Sequence, residues 1–448
     1  ITFDRVSIDS RTLRAGDLFW AIRGETHDGH DYIGEAVKRG AVASVVRNEI
    51  ASSVGRPAIA VPDTLDALGK FARWYRDRQE ALVIGVTGSV GKTTTREMIH
   101  AVLQAGFRGT KSQRNYNNHV GLPLCILDIE KSHEFAVLEM GASRIGEIRD
   151  LARIAAPEIG VITKIGLAHL SSFGSEKQIV QAKGELVEAI PPSGFAVLSG
   201  DDARSSALAA RTQCPVIYVG ENTQNNVRAT SVSVEPERLK FRVDGKTYEV
   251  MATGRHHLTA ALAAIAIARE VGMENDAISE GLRSFEPVAG RCRLETIGTW
   301  SVIDDTYNAN PSSMQAACEV LRTWKGDAKK LLIAGDMLEL GTRTVECHRE
   351  LGRQAAASGL DHLIVFGEQS EHVVRGARES GMDPHRMAQC ETLDSLLTVL
   401  DCWVDSGAML LVKGSRGMRM ERVLEWLREH KEQNVRQHTA RTPARACA

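Results

Sequence analysis

The segment Val83 to Ile99, VIGVTGSVGKTTTREMI, restricts the fold of this chain more than any other stretch. A run of apolar, partly β-branched residues delivers the backbone into a glycine-rich turn. Lys-Thr-Thr-Thr then opens a helix. Such a unit belongs in a parallel sheet, and its turn and helix N-terminus present backbone N–H groups to an anion. Thr87, Gly88, Ser89, Val90, Gly91, Lys92, Thr93 and Thr94 are therefore expected to cradle the phosphates of a nucleotide such as ATP. Lys92 would reach the terminal phosphates, and a hydroxyl of Thr93 or Thr94 would ligate Mg²⁺. The glycines fit T-G-x-x-G-K-T; the longer G-x-x-x-x-G-K-[ST] form would need glycine where Val86 stands. A structural turn that happens to contain Gly-Lys-Thr is the bland alternative, disfavoured by the strand before it and the helix after it.

The same texture continues on both sides. FAVLEMG and EIGVITKIG read as strands, IGEIRDLARIA and SEKQIVQAKGELVEAI as helices. Strand–helix alternation implies right-handed crossovers and a parallel sheet. Between residues 222 and 250 the pattern turns to period two, and Asp244-Gly245 suits a tight hairpin. Texture shifts near residues 81 and 290 divide the 448 residues into three α/β domains, spanning 1–80, 81–290 and 291–433, close to the count that length alone suggests. Residues 434–448 have little to bury and are expected to be disordered. Lys plus Arg (55) nearly cancels Asp plus Glu (57), so no global field exists to hold nucleic acid or an anionic membrane, and anions must be gripped locally. No apolar run approaches the roughly 18 residues of a membrane span. The visible amino end lacks the layout of a secretory signal. Eight cysteines without a C-x-x-C pair argue against a zinc site or a disulfide scaffold. A cytosolic, monomeric protein is expected.

Open α/β sheets place ligands at the carboxyl ends of their strands. Glu139 ends FAVLEM and could hold Mg²⁺ opposite the glycine-rich turn. His169 follows VITKIG; on spacing alone it is a hydrogen-bonding loop residue, since imidazole is an unusual Mg²⁺ ligand. Lys183 reads on spacing as a solvated lysine in an i,i+4 pair. KSQRNYNNHVGLP packs several amides into one loop, suited to a polar substrate and equally to turns. In the third domain DDTYNANPSSM carries Asp305, Asn308 and Asn310, and VKGSRGMRME carries Lys413 and Arg416. Arg291 sits at the second domain boundary, placed to reach across to a phosphate.

Taken together, these segments resemble the Mur ligases, ATP-dependent amide-forming enzymes of bacterial peptidoglycan precursor synthesis. The resemblance runs from DSRTLRAGDLFWAIRGETHDGHDYI to VKGSRGMRME, nearly the whole chain. TGSVGKTT is shared across the superfamily, folylpolyglutamate synthetases included. NNHVGLP, DDTYNANPSSM, AGDMLELG and KGSRGMRME point to the branch that adds D-alanyl-D-alanine to UDP-N-acetylmuramoyl-tripeptide. The resemblance implies an N-terminal nucleotide-sugar module, a central P-loop ATPase and a C-terminal Rossmann-like domain. It implies that His169 joins Glu139 as a magnesium ligand, and that Lys183 is carboxylated by CO₂ to a carbamate, an anionic oxygen ligand beside the metal. Arg291 and Asp305 would contact ATP, and Asn117 and Asn118 would lie beside phosphates and substrate. Ser10, Arg11 and the Asp28-Gly29-His30 turn would line the UDP-sugar pocket. Asn308, Asn310, Lys413 and Arg416 would face substrate from the third domain.

Two positions depart from the family pattern. Thr163-Lys164 stands where Thr-Asn is usual, adding a positive charge near the metal site. His256-His257 stands where His-Asn is usual; His257 then takes the position of the adenine contact, and imidazole cannot make the paired contact of an amide. The activity implied is attack of a carboxylate on the γ-phosphate, giving an acyl phosphate that an amine then displaces. A ligase of the same superfamily adding a single amino acid, a P-loop ATPase coupled to movement, and a non-catalytic nucleotide-binding module are the alternatives.

Overall fold

Three successive units, each built on a mainly parallel sheet, give the α/β class and the three-part organisation that the strand–helix alternation implies. The computed structural model describes residues 1–54 and 57–430; the tail 434–448 lies outside the described residues. The first unit has four parallel strands in the order Val6–Ser7, Leu18–Trp20, Ala43–Arg47 and Ala58–Val61. The first two are too short to show a period in the sequence. Helix Thr64–Arg76 begins at Asp63, whose carboxylate accepts the Asp66 N–H at 2.8 Å, the usual N-terminal cap. The Trp20 indole donates to the Thr64 carbonyl at 2.7 Å and ties the helix to the sheet. At its end Arg76 donates to Ala155 O at 3.0 Å and Glu158 Oε1 at 2.7 Å, anchoring the second unit.

That second unit carries seven parallel strands in the order Val227–Arg228, Val216–Gly220, Phe195–Ser199, Ile159–Ile162, Leu82–Thr87, Phe135–Glu139 and Gly109–Lys111. Leu82–Thr87 is buried from its second residue on, because both sheet faces are covered. Met98, Ile99 and Val102 with the Ala-rich helix Leu258–Glu270 cover one; Leu122, Leu151 and Leu186 cover the other. This two-sided cover is why the strands read as continuous apolar runs rather than alternating ones. Leu82–Thr87 lies between Phe135–Glu139 and Ile159–Ile162, and the chain crosses over it from the one to the other, so the sheet switches there and a crevice opens beyond the carboxyl ends. Thr87, Glu139 and Thr163 stand at that edge.

A small antiparallel sheet, Thr230–Glu235, Arg238–Val243 and Lys246–Val250, decorates this unit. Its Asp244-Gly245 turn has φ of 49° and 82°, the two left-handed positions that a type I′ hairpin demands and that Asp-Gly tolerates. The third unit has six strands in the order Arg293–Ile297, Trp300–Asp305, Met409–Lys413, Lys330–Gly335, His362–Phe366 and Met387–Cys390. Only the first pair is antiparallel. The described chain ends in a helix over residues 421–430.

Candidate active site

The glycine-rich turn is shaped by two close approaches. A Cβ on Gly88 (φ 149°) would lie 2.0 Å from Thr163 Oγ1, so only glycine lets the turn lie against the neighbouring strand end. Gly91, at φ 86°, supplies the left-handed residue that starts helix Lys92–Gln104. Ser89 and Val90 spend their N–H groups on the Lys164 carbonyl, at 2.9 and 3.3 Å. The donors left for an anion include those of the helix's first turn, which have no intrahelical acceptor. Lys92 folds back on the turn, its Nζ donating to Gly88 O at 3.0 Å. Desolvation in the crevice pushes its pKa down; the Glu139 charge opposes this and the Arg291 charge adds to it.

Glu139 is 2% exposed at the end of its strand. It accepts from Thr93 Oγ1 at 2.9 Å, Asn117 Nδ2 at 2.9 Å and Arg96 Nη1 at 3.2 Å. Arg96 is held in turn by Glu97, which also pairs with Lys111. Carboxylate and Thr93 hydroxyl together offer hard oxygen donors beside the lysine, a set that fits Mg²⁺. Asn118 closes the turn that leads into helix Gly121–Leu127 by accepting from Val120 and Gly121 N–H at 3.1 and 2.9 Å. Its side chain is thereby committed to the turn, although the residue lines the same cavity.

The third unit closes the crevice. The Arg291 guanidinium lies 3.7 Å from the Tyr307 ring centre, and its Nη2 stands 3.5 Å from Thr93 Oγ1. Burial pushes its pKa down, yet a guanidinium stays protonated in proteins. Lys413, 1% exposed, pairs with Asp305 Oδ2 at 2.6 Å and donates to Asn308 O at 2.8 Å. Burial raises the Asp305 pKa against the opposing pull of Lys413 and Arg291. Asn310 is the N-cap of helix Pro311–Thr323 in a capping box with Ser313. These groups line one cavity of about 670 Å³ together with Lys92, Thr93, Glu139, Lys164 and His169.

Lys183 corrects its spacing-based reading as a solvated lysine. It is 2% exposed on helix Glu176–Glu188, donates to Ala142 O at 3.2 Å, and lies 5.4 Å from the Phe173 ring centre. Desolvation lowers its pKa to about 7, and the charge of Lys92 acts in the same direction. His169, in a left-handed conformation (φ 54°), lines the cavity and pairs with Glu339 of the third unit. Its Nδ1 therefore already has a carboxylate partner.

Other candidates stand apart from this cavity. Ser10 Oγ donates to Glu35 Oε2 at 3.0 Å, and Arg11 pairs with Asp9 at 2.8 Å. Asp28 accepts the His30 N–H at 3.0 Å and holds the ring at 2.6 Å, while His30 Nε2 accepts from Arg47 N–H at 3.1 Å. Gly29 passes so close to Ile22 that a Cβ would sit 2.7 Å from its nitrogen. Arg416 is exposed and pairs with Glu421 at 3.0 Å. His257 is buried behind the wall, whereas His256 lines it. Arg96 and Tyr307 belong to the site as well, without a motif of their own that marks them. Arg96 falls four residues after Lys92, on the same helical face, and Tyr307 lies inside DDTYNANPSSM.

Family models match along most of the chain: Mur ligase family, catalytic domain over residues 2–76, Mur ligase middle domain over 86–268, and Mur ligase, glutamate ligase domain over 291–416. The UDP-N-acetylmuramoyl-tripeptide–D-alanyl-D-alanine ligase of Bacillus subtilis (strain 168) is 35% identical over 428 residues, covering 95% of this chain and 93% of the relative. Among solved structures, MurF from Acinetobacter baumannii superposes with a TM-score of 0.87 at 30% identity, covering 95% and 93% of the two chains. MurF ligase from Thermotoga maritima in complex with ADP gives 0.85 at 29% identity, covering 96% and 98%. With a relative this similar along nearly the full length of both chains, the protein is a member of the Mur ligase family.

Proposed function

We infer that this chain is an ATP-dependent ligase that joins D-alanyl-D-alanine to UDP-N-acetylmuramoyl-tripeptide in peptidoglycan precursor synthesis. The observation that carries the reading is electrostatic. Lys92, Lys164 and Arg291 line one cavity, and among the described residues none of the three has a carboxylate within ion-pairing distance. Lys92 and Arg291 are desolvated there, whereas Lys164 is exposed at the rim; desolvated cations left unpaired are costly, and a polyphosphate anion offsets that cost. The relatives named for this reaction supply the identity of the two substrates.

Amide formation needs a carboxylate oxygen made into a leaving group. The tripeptide's terminal carboxylate attacks the γ-phosphorus of ATP, forming a C–O–P bridge as the bond to ADP breaks. Lys92 and Arg291 stabilise the charge that spreads over the transferred group. The dipeptide amine, having lost its proton, then attacks the acyl carbon, and phosphate leaves with the bridging oxygen. Mg²⁺ would be held by Thr93 and Glu139, with His169 once it leaves Glu339, and would neutralise charge on the phosphates. Asp305 and Lys413 would position the nucleotide from the third domain, with Asn117, Asn308 and Asn310 bordering the substrate channel. Ser10, Arg11 and the Asp28–His30 turn would receive the nucleotide sugar.

Lys183 fits the carbamate role on physical grounds. A pKa of about 7 leaves much of it as free amine at neutral pH, able to bond to CO₂ and release a proton. The resulting anion would turn its repulsion with Lys92 into attraction. Domains 1–80, 81–290 and 291–433 are assigned to sugar-peptide binding, ATP binding and closure. No helix among the described residues is long and apolar enough to cross a membrane; the proposed enzyme works in the cytoplasm, where substrates of this kind are made, and as a monomer.

The test is to incubate the protein with Mg·ATP, UDP-N-acetylmuramoyl-tripeptide and D-alanyl-D-alanine and weigh the products. The expected product has the summed mass of the two substrates less one water, matched by equimolar ADP. ADP release without that product, or equal use of a single amino acid, would overturn the assignment.

A further inference from the structure

The link between the second and third units holds a cluster that the reaction above does not use. His256, His257 and Cys292 come together there, their ligand atoms all within 4.8 Å of one another. The two imidazoles sit 4.2 Å apart, centre to centre. They precede helix Leu258–Glu270 of the second unit, while Cys292 directly precedes the first strand of the third. His257 is 1% exposed, yet neither ring nitrogen has a hydrogen-bond partner among the described residues. A buried imidazole with both nitrogens unsatisfied costs on the order of 1–3 kcal/mol for each orphaned group, so the site asks for a partner. Cys292 holds a left-handed backbone (φ 55°) that is uncommon for a residue with a side chain. That conformation is fixed by its N–H donating to Asp305 Oδ1 at 3.1 Å. Its thiol is buried, 3.5 Å from Thr253 O.

We propose that His256, His257 and Cys292 form a binding site for a thiophilic divalent cation of the Zn²⁺ class, spanning the joint between the ATP-binding and C-terminal domains. Two imidazoles and a thiolate are a donor set that favours zinc over magnesium. Tetrahedral zinc with bonds of about 2.0–2.3 Å needs its ligand atoms about 3.3–3.8 Å apart. The cluster must therefore close by roughly 1 Å, within reach of a rotation of His256, which faces the cavity and makes no hydrogen bond among the described residues. Coordination forms one Zn–S and two Zn–N bonds and releases the thiol proton to solvent. His256 and Cys292 both line the nucleotide cavity, so the fourth position opens into it and accepts water. The ion would pin the domain joint. Sequence spacing could not reveal the site, because its cysteine lies 35 residues from its nearer histidine and no C-x-x-C pair exists.

The test uses Co²⁺ as a spectroscopic stand-in for Zn²⁺ on the full chain without nucleotide. One equivalent of Co²⁺ is expected to give a thiolate-to-cobalt charge-transfer band with the strong d–d absorption of a tetrahedral site, and one equivalent of Zn²⁺ to abolish both. Cys292→Ser is expected to lose the charge-transfer band and His256→Ala to weaken it severely. The His256 change faces the cavity and leaves the core packing intact. No charge-transfer band in the unmodified protein, or a band that survives in folded Cys292→Ser, would overturn the proposal.

Discussion

The crevice between the second and third units and the carboxyl edge of the first are built on opposite electrostatic plans. In the first unit Arg11 meets Asp9, Arg39 meets Glu35, and His30 is locked between Asp28 and the Arg47 N–H. The carboxylates and the imidazole of these pairs are satisfied without a ligand. In the crevice Glu139 is engaged by Thr93, Arg96 and Asn117, and Asp305 by Lys413, yet Lys92, Lys164 and Arg291 have no carboxylate partner among the described residues. One surface is closed on itself and can bind only by exchanging partners. The other keeps two desolvated cations, Lys92 and Arg291, which a polyphosphate would pair.

Substitutions that remove charge from the crevice should break this contrast hardest. Lys92→Ala is expected to lower kcat by on the order of 10²–10³, measured as product formation at saturating substrates; near-normal turnover would remove Lys92 from phosphoryl transfer. Arg291→Ala removes a charge-assisted contact worth about 1.5–3 kcal/mol, so the KM for ATP should rise roughly 10- to 100-fold. The KM for the tripeptide should stay unchanged, and an equal rise in both would mean that the arginine serves domain docking instead.

The next effect is a pH dependence. The Lys183 pKa of about 7 lies below the 10.5 of a free lysine, and only the amine takes up CO₂. At fixed dissolved CO₂, activity should fall roughly tenfold per unit as pH drops below 7. Stability of the uncarboxylated protein follows the same sign. Between pH 7 and 10.5 the unfolded chain binds more protons than the folded one, so stability rises with pH across that window. Lys183→Met should flatten the rise in denaturant midpoint between pH 7 and 9; an unchanged slope would place the titrating group elsewhere. The smallest effect belongs to the self-satisfied surface. Ser10→Ala should alter the KM for the nucleotide sugar by about two- to tenfold, one hydrogen bond's worth, and leave ATP kinetics alone. A larger change for ATP would contradict the separation of the two regions.

What could be read directly from the chain follows from how local the signal is. The turn from Thr87 to Lys92 and the Asp244-Gly245 hairpin are dictated by glycine conformations within a few residues. Strand Leu82–Thr87 declares itself because both its faces are buried. Lys183 misled because a lysine on a charged helix looks solvated; Phe173 and Ala142, which bury it, lie ten and 41 residues away. The approach of Arg291 to Thr93 spans 198 residues and exists only once two domains dock. Asn118 and Asn310 carried the right composition for a polar substrate, but their oxygens are taken up by helix N-termini, a competition inherent to asparagine.

The central claim is that this crevice passes the terminal phosphate of ATP to a carboxylate. The most direct measurement uses tripeptide substrate carrying ¹⁸O in its terminal carboxylate and follows the label by mass spectrometry of the released phosphate. One ¹⁸O per phosphate is the predicted result, since the bridging oxygen departs with phosphorus when the amine attacks. Phosphate free of label alongside normal amide product would mean that the carboxylate never attacked ATP.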